Sequence, residues 1–476
     1  MTATVAAIDL GATSGRVVRA EVSRRTLRLE EVARFEHRPV RIGDGLHWSV
    51  LSLYDAAMQG VATASRGRTA DASLASVAVD SWAVDYGLLR RGHLLGIPYS
   101  YRDDRTAHGL ELVDRVIAQP DLYARCGLQR MPFTTINQLA VDRERGMLEA
   151  ADRLLMLPDL FGYWMTGRMV MEATNASTTG LMRLDGSWDT ELMGMLGIPE
   201  SLVAELVEPG TVIGPIDAAA RSHYGIEGAP DVLAVGSHDT ASAVVGVPMG
   251  PDAAYISSGT WSLVGVETPA PIATPAALEA QFTNEGGVDG RNRFLKNVMG
   301  LWILSETMRT WEAAGERASL PDLLEAAARV DWQVPVFDPT DDTFYPPGDM
   351  PARIAAWLGE RGLRPPRGHA EVVRCILESL AEGYAVTLRD AERISGQRIE
   401  RVHVVGGGSR NALLCQLTAD RTGLPVVAGP VEASAIGNVL VQARTLGAAP
   451  ETLEELRALV RSTHELVEYR PRARVR

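Results

Sequence analysis

Near the N-terminus, Ala6-Ala7-Ile8-Asp9-Leu10 runs as an apolar stretch into Gly11-Ala12-Thr13-Ser14-Gly15-Arg16. Glycines let backbone amides approach an anion, and Thr13 and Ser14 add hydroxyl donors. Asp9 repels phosphate but suits a hydrated Mg²⁺ that bridges phosphates. The segment reads as a phosphate loop preceded by a metal carboxylate; an ordinary hairpin is the alternative. GxxxxGK[ST] is absent and a strand pattern follows, which excludes a P-loop. In Ser237-His238-Asp239-Thr240-Ala241-Ser242, an aspartate flanked by hydroxyls follows an apolar run. Asp239 can act there as general base on a substrate hydroxyl, or it or Ser237 can cap a helix. A serine hydrolase is excluded: adjacent strand residues point to opposite faces, and GxSxG is missing. Val404-Val405-Gly406-Gly407-Gly408-Ser409-Arg410-Asn411 is not the dinucleotide fingerprint. Its flat glycine backbone can lie against an adenine ring, or simply turn tightly from strand to helix. Asp80-Ser81-Trp82-Ala83-Val84-Asp85 and Tyr101-Arg102-Asp103-Asp104-Arg105 can grip a sugar's hydroxyls and stack on its apolar face. Structural ion pairs are the alternative.

The elements that must position these residues follow from pattern. Residues 5–35 read as three strands, 51–66 as a helix, and 73–90 as two strands around a break at Asp80-Ser81. Residues 107–170 read as mostly helical, with loops near Pro120, Pro132 and Pro158. Strand, polar loop and helix are expected over 232–247, and paired strands over 253–267. Val372, Val373, Ile376, Leu377, Leu380, Tyr384 and Leu388 recur at helical spacing over 371–392. Residues 335–351, with five prolines, read as a loop. The segments AAIDLGATSGRVV and AAYISSGTWSLVG share one plan: apolar strand, Gly-Thr/Ser turn, apolar strand. That plan predicts a duplicated α/β architecture with a cleft between the halves, each turn clamping a polyanion.

The whole chain of 476 residues, 46% hydrophobic, holds enough apolar side chain for a large core. A formal charge of −13 excludes nucleic acid as a general partner. Cys126, Cys375 and Cys415 lie far apart with no CxxC spacing, so zinc and dithiol chemistry lack support. No membrane span is expected. With no secretory pattern at the start and an odd, low cysteine count, the cytoplasm is the expected compartment. The basic RPRARVR at 470–476 reads as a solvated tail. Lys296 is the single lysine among 47 basic residues. Chance and a need for a compact ammonium, which arginine does not supply, are both open readings.

The order and spacing of DLGATSGR, DSWAVDYGLL, YRDDRT, GSHDTAS, SSGTWSL, NEGG, LKNVMGLW, VVGGGSRNALL and AGPVEASAIGN resemble the FGGY carbohydrate kinases of the actin-like ATPase superfamily. Within that family, SHDTAS, NEGG with LKNVMGLW, and GPVEAS are most similar to the kinases of L-rhamnulose. The resemblance implies an α/β fold of two ribonuclease-H-like domains, 1–245 and 246–476, with ATP and sugar in an interdomain cleft. It implies transfer of phosphate from ATP to the 1-hydroxyl of L-rhamnulose, with Mg²⁺ held through water near Asp9 and Asp239 as base. Ala12, Thr13, Ser14, Gly15, Arg16 and Thr260 would bind the ATP phosphates, and Gly407 would lie at the adenosine. His238, Thr240 and Asn297 would contact the sugar beside Trp82. Two positions depart from the family. Ala83 replaces a glycine, and its methyl narrows the sugar pocket. Ser305 replaces a glutamine at a nucleotide contact. A kinase for another ketose, such as L-fuculose or L-xylulose, and a catalytically silent sugar sensor are the other readings. The chain is expected to act as a monomer or homodimer.

Overall fold

Val5, Ala6, Ala7 and Ile8 are all fully buried, so the strand Thr2–Leu10 has no solvent-facing side over these four residues. A run without alternation is what a central strand covered on both faces requires. It pairs antiparallel with Ser14–Ser23 and parallel with Leu74–Ser81. Across that sheet the order is Val212–Pro215, Asp231–Leu233, Leu74–Ser81, Thr2–Leu10, Ser14–Ser23, Leu27–Glu36. The computed structural model describes residues 1–66 and 73–472. Residues 473–476 of the basic tail lie outside them.

Two compact units form. The first takes residues 1–248, 267–294 and 433–463 and holds this six-stranded sheet. The second takes 249–266, 295–432 and 464–476. The sequence reading divides the chain once, at 245/246. The chain leaves the first unit near Pro248 but returns to it twice. The late return is a helix, Ala433–Thr445, that packs on the strands Thr2–Leu10 and Leu74–Ser81.

In the second unit Ala253–Ser258 is the central strand. It pairs antiparallel with Trp261–Thr268 and parallel with Arg401–Val405, which pairs in turn with Val426–Ala428. Each unit thus has an N-terminal hairpin whose first strand accepts a parallel strand on its far edge. The repeat read in the sequence is a repeat of sheet position.

The helix expected at 51–66 is Val50–Ser65, and that at 371–392 is Gly368–Ser395, ended by Gly396 in the left-handed region at φ 71°. Three local readings are corrected. The break expected at Asp80-Ser81 falls at 82–85, because Ser81 still bonds along the sheet to Ser237 O at 2.9 Å. Pro120 and Pro158 sit in the first turns of the helices Gln119–Cys126 and Leu157–Thr166, not in loops. Proline is tolerated there because the first N–H groups lack helical partners anyway. A strand, Arg153–Met156, interrupts the stretch expected to be mostly helical.

Candidate active site

Register gathers the first set of chemical groups. Asp9 stands opposite Arg16 across the antiparallel pair and opposite Asp80 across the parallel pair. Arg16 Nε donates to Asp9 Oδ2 at 2.9 Å, and Ser434 Oγ donates to the same oxygen at 2.7 Å. The Asp9 side chain is 3% exposed. Asp80 is fully buried: Oδ2 accepts from Asn438 Nδ2 at 2.6 Å, while Oδ1 has no hydrogen-bond partner. Burial, and then the nearby Asp9 charge, push the Asp80 carboxyl well above the ordinary range. Two adjacent carboxylates at strand ends, one with an orphaned buried oxygen, are hard donors of the kind Mg²⁺ takes while keeping most of its waters. The residues present fit that ion. Among the described residues no group of three or more His, Cys, Asp or Glu forms a metal cluster.

The loop expected to hold phosphate follows. Gly11 N donates to Ser14 O at 3.0 Å, closing the turn, and Thr13 at its tip is exposed. His37 braces the loop twice: Nε2 lies 2.8 Å from Gly11 O, and its backbone N donates to Thr13 O at 3.1 Å. Burial lowers the His37 imidazole, which keeps it neutral beside the loop. Ala12, Thr13, Ser14, Gly15 and Arg16 are thus brought together with Asp9. Arg16 serves first as the partner of that carboxylate.

Asp239 opens the helix Asp239–Gly246. Its side chain is 31% exposed, with Oδ1 3.5 Å from His238 Nε2. Burial raises its carboxyl, the His238 ring lowers it, and Asp9 raises it again, for a net shift upward. Ser237 is not the helix cap: its Oγ and N both donate to Glu172 Oε2, at 2.8 and 3.0 Å. Glu172 also caps the short helix Ala173–Ala176 through Thr174 N and Asn175 N. One buried carboxylate therefore ties two loops to the segment that carries Asp239. Asn175, the asparagine of a glycosylation sequon, is fully buried and donates to Ser237 O.

Trp82 corrects an expectation. It is 6% exposed, its indole N–H donates to Asp85 Oδ2 at 2.9 Å, and its ring lies 4.4 Å from Trp48. Little of its face is left for a sugar, so the ring acts as a buttress. Asp85 accepts also from Trp48 Nε1 at 2.6 Å, Tyr101 N at 3.1 Å and Gln138 Nε2 at 3.1 Å. Burial pushes its carboxyl up to about 6 against those four donors. This node holds the turn containing Ala83 and Val84, the latter at φ 68°. Arg105 pairs not with its neighbours but with Asp142, deep in the unit.

The remaining expected residues belong to the second unit. Thr260 lies at the turn of the hairpin Ala253–Ser258/Trp261–Thr268, braced by Leu301 N on Gly259 O at 3.0 Å and Trp302 N on Thr260 O at 3.1 Å. A Cβ at Gly408 would stand 2.0 Å from Ser258 Oγ, and one at Gly406 2.8 Å from Ser258 O. At Gly407 it would meet nothing within 4 Å. The outer two glycines pack the loop against the hairpin, and the middle one presents open backbone. Asn297 and Lys296 are half-buried on the strand Asn292–Met299. Burial lowers the Lys296 ammonium while Asp338 and Asp390 oppose that. Ser305 is exposed on the helix Trp302–Ala313 and lines a groove of about 560 Å³ with Met308, Arg309 and Glu312.

Sequence reasoning missed the helix Ala433–Thr445 as part of the site. Ser434, Asn438 and Gln442 recur every four residues on an otherwise apolar helix and touch Asp9, Asp80 and Ala6 O. That polar stripe was the available signal. Gly437 and Gly246 let this helix meet the one bearing Asp239 at backbone contact.

Residues 4–246 match the N-terminal domain of the FGGY family of carbohydrate kinases, and residues 254–446 match its C-terminal domain. The chain belongs to the FGGY family of carbohydrate kinases. This kinase is 40% identical over 471 residues to a rhamnulokinase of Bacteroides thetaiotaomicron, covering 98% of this chain and 95% of that one. It is 40% identical over 477 residues to a rhamnulokinase of Pectobacterium carotovorum, covering 98% and 93%. Its fold resembles that of a ligand-bound xylulose kinase from Lactobacillus acidophilus, with a TM-score of 0.78 at 16% identity over 98% of this chain and 94% of that one. Family membership makes the chain a sugar kinase with ATP as co-substrate.

Proposed function

We propose that the kinase phosphorylates the 1-hydroxyl of L-rhamnulose, giving L-rhamnulose 1-phosphate and ADP. The observation that carries the chemistry is the placement of Asp239. It is a carboxylate of raised proton affinity at a helix start, beside His238. The choice of sugar is supported by the two relatives of about 40% identity, both named rhamnulokinase. Asp239 accepts the proton of the primary hydroxyl as that oxygen attacks the γ-phosphorus in line. The bond from the γ-phosphorus to the bridging oxygen breaks, and ADP leaves. His238, Thr240 and Asn297 orient the sugar. Backbone and hydroxyl donors of residues 12–16 and Thr260 hold the phosphates, and Gly407 lies at the adenosine. Mg²⁺ near Asp9 supplies charge neutralisation of the triphosphate when bound. At Ser305 the side chain is shorter than a glutamine, so one nucleotide contact is lost or bridged by water. The three buried, unpaired cysteines fit a reducing cytoplasm, where ATP is available.

Ala83 favours a second reading, a kinase for L-fuculose or L-xylulose. A panel of ketoses with ATP and Mg²⁺, read by ADP release, decides between them. L-rhamnulose should give the highest kcat/KM. A higher value for another ketose would overturn the choice of sugar, and ligand binding without ADP release would favour a silent sensor.

A further inference from the structure

Asn284-Glu285-Gly286-Gly287 stands out in the sequence and has no role in the reaction as described. The structure puts its one acid, Glu285, beside His238. Arg293, on the following strand, is wholly buried. Its Nε donates to Gly286 O at 2.9 Å, and one terminal nitrogen lies 3.0 Å from Glu285 Oε2. The other terminal nitrogen is 3.2 Å from His238 Nδ1. Glu285 Oε2 is 3.3 Å from the same ring nitrogen but makes no well-aligned hydrogen bond. Burial raises the Glu285 carboxyl, but Arg293 and the His238 ring more than offset this and leave it below the ordinary range. The pair is therefore a buried cation and anion, both against Nδ1. At the far end of the ring, Nε2 faces Asp239 Oδ1 at 3.5 Å.

A guanidinium has donors and no acceptor. A ring nitrogen in hydrogen-bond contact with it must offer a lone pair, so the neutral ring carries its proton on Nε2. If the ring gains a second proton, Nδ1–H has Glu285 as its acceptor and Nε2 keeps its own. In both states the nitrogen next to the base is a donor.

We propose that Arg293, charge-balanced by Glu285, is a positioning residue that holds His238 as an Nε2–H donor beside Asp239. The donor selects sugars with an acceptor oxygen next to the reacting hydroxyl. A 2-ketose has that oxygen at C2 in open-chain and ring forms alike. This rests on the kinase reading above, with His238 at the sugar.

The test is the ¹⁵N signature of His238, identified by its loss in His238→Gln. The wild-type ring should show a bare Nδ1 and a protonated Nε2; a protonated Nδ1 with a bare Nε2 overturns the proposal. In the double variant Glu285→Gln/Arg293→Met the constraint is gone, and both tautomers should be populated. KM for the preferred ketose should rise about tenfold, the worth of one hydrogen bond of this kind, with KM for ATP unchanged. An unaltered tautomer in the double variant, or equal rises in both KM values, overturns it. If the double variant does not fold, the wild-type spectrum alone decides. If the wild-type protein phosphorylates no ketose, the kinase reading falls, and the nitrogen spectrum still judges this one.

Discussion

Replacing Gly437 by alanine sets two effects of opposite sign against each other. Gly437 lies inside the helix Ala433–Thr445, where alanine ordinarily stabilises by about 0.8–1 kcal/mol. Its Cβ, however, would stand 1.8 Å from Ser242 O and 2.6 Å from Ser242 C. Both are backbone atoms of the helix that Asp239 begins. Side-chain carbons do not approach closer than 3.0 Å, so the two helices must part by about 1.2 Å. Gly246 meets Ala433 O in the same interface, at 2.3 Å from an added Cβ, so no slack exists nearby. Overpacking of this kind costs about 1–3 kcal/mol, which equals or exceeds the propensity gain. The net expectation is destabilisation by up to about 2 kcal/mol, read as a lower urea midpoint at unchanged m-value. The displacement is carried to Asp239, the proposed base, and a shift near 1 Å costs roughly 10²-fold in turnover. Steady-state kcat should fall by about that factor. A variant more stable than wild type, with full kcat, would refute the reasoning that helix contact at Gly437 sets the position of Asp239.

Asp239→Asn should retain ATP binding, measured by calorimetry, while kcat falls by roughly 10²–10⁴-fold, the usual contribution of a general base. The acid limb of kcat/KM should lie above an ordinary aspartate's. The raised carboxyl takes up its inactivating proton at higher pH, and His238→Gln should move the limb higher still by removing the ring's opposing effect. Ala83→Gly should change the ratio of kcat/KM between ketoses by up to about tenfold, the scale of one methyl in a pocket. An unchanged ratio would remove Ala83 from the determinants of sugar choice. Lys296→Arg should raise KM for sugar or ATP; identical kinetics would leave Lys296 as a partner of Asp338 and Asp390 only.

Much of the site was legible because its parts are local. Asp9 and residues 11–16 share one hairpin, Asp239 follows His238 directly, and the glycines at 406–408 form one loop. Type and spacing suffice where chemistry and position lie within a few residues. Trp82 was misread for a related reason. An indole beside carboxylates has the composition of a sugar platform, but composition does not say which face the core covers. Here the Trp48 and His37 rings lie against it.

By itself the sequence determined the two repeated hairpins, the apolar central strands and the carboxylates at their ends, because strand burial and glycine turns are written in consecutive residues. Only the tertiary structure decided that Ser434 and Asn438, more than 350 residues along the chain, hold Asp9 and Asp80. The same is true of Glu285 and Arg293 at His238. A buried charge takes whatever partner the packing brings to it, and chain distance carries no information about which group that is.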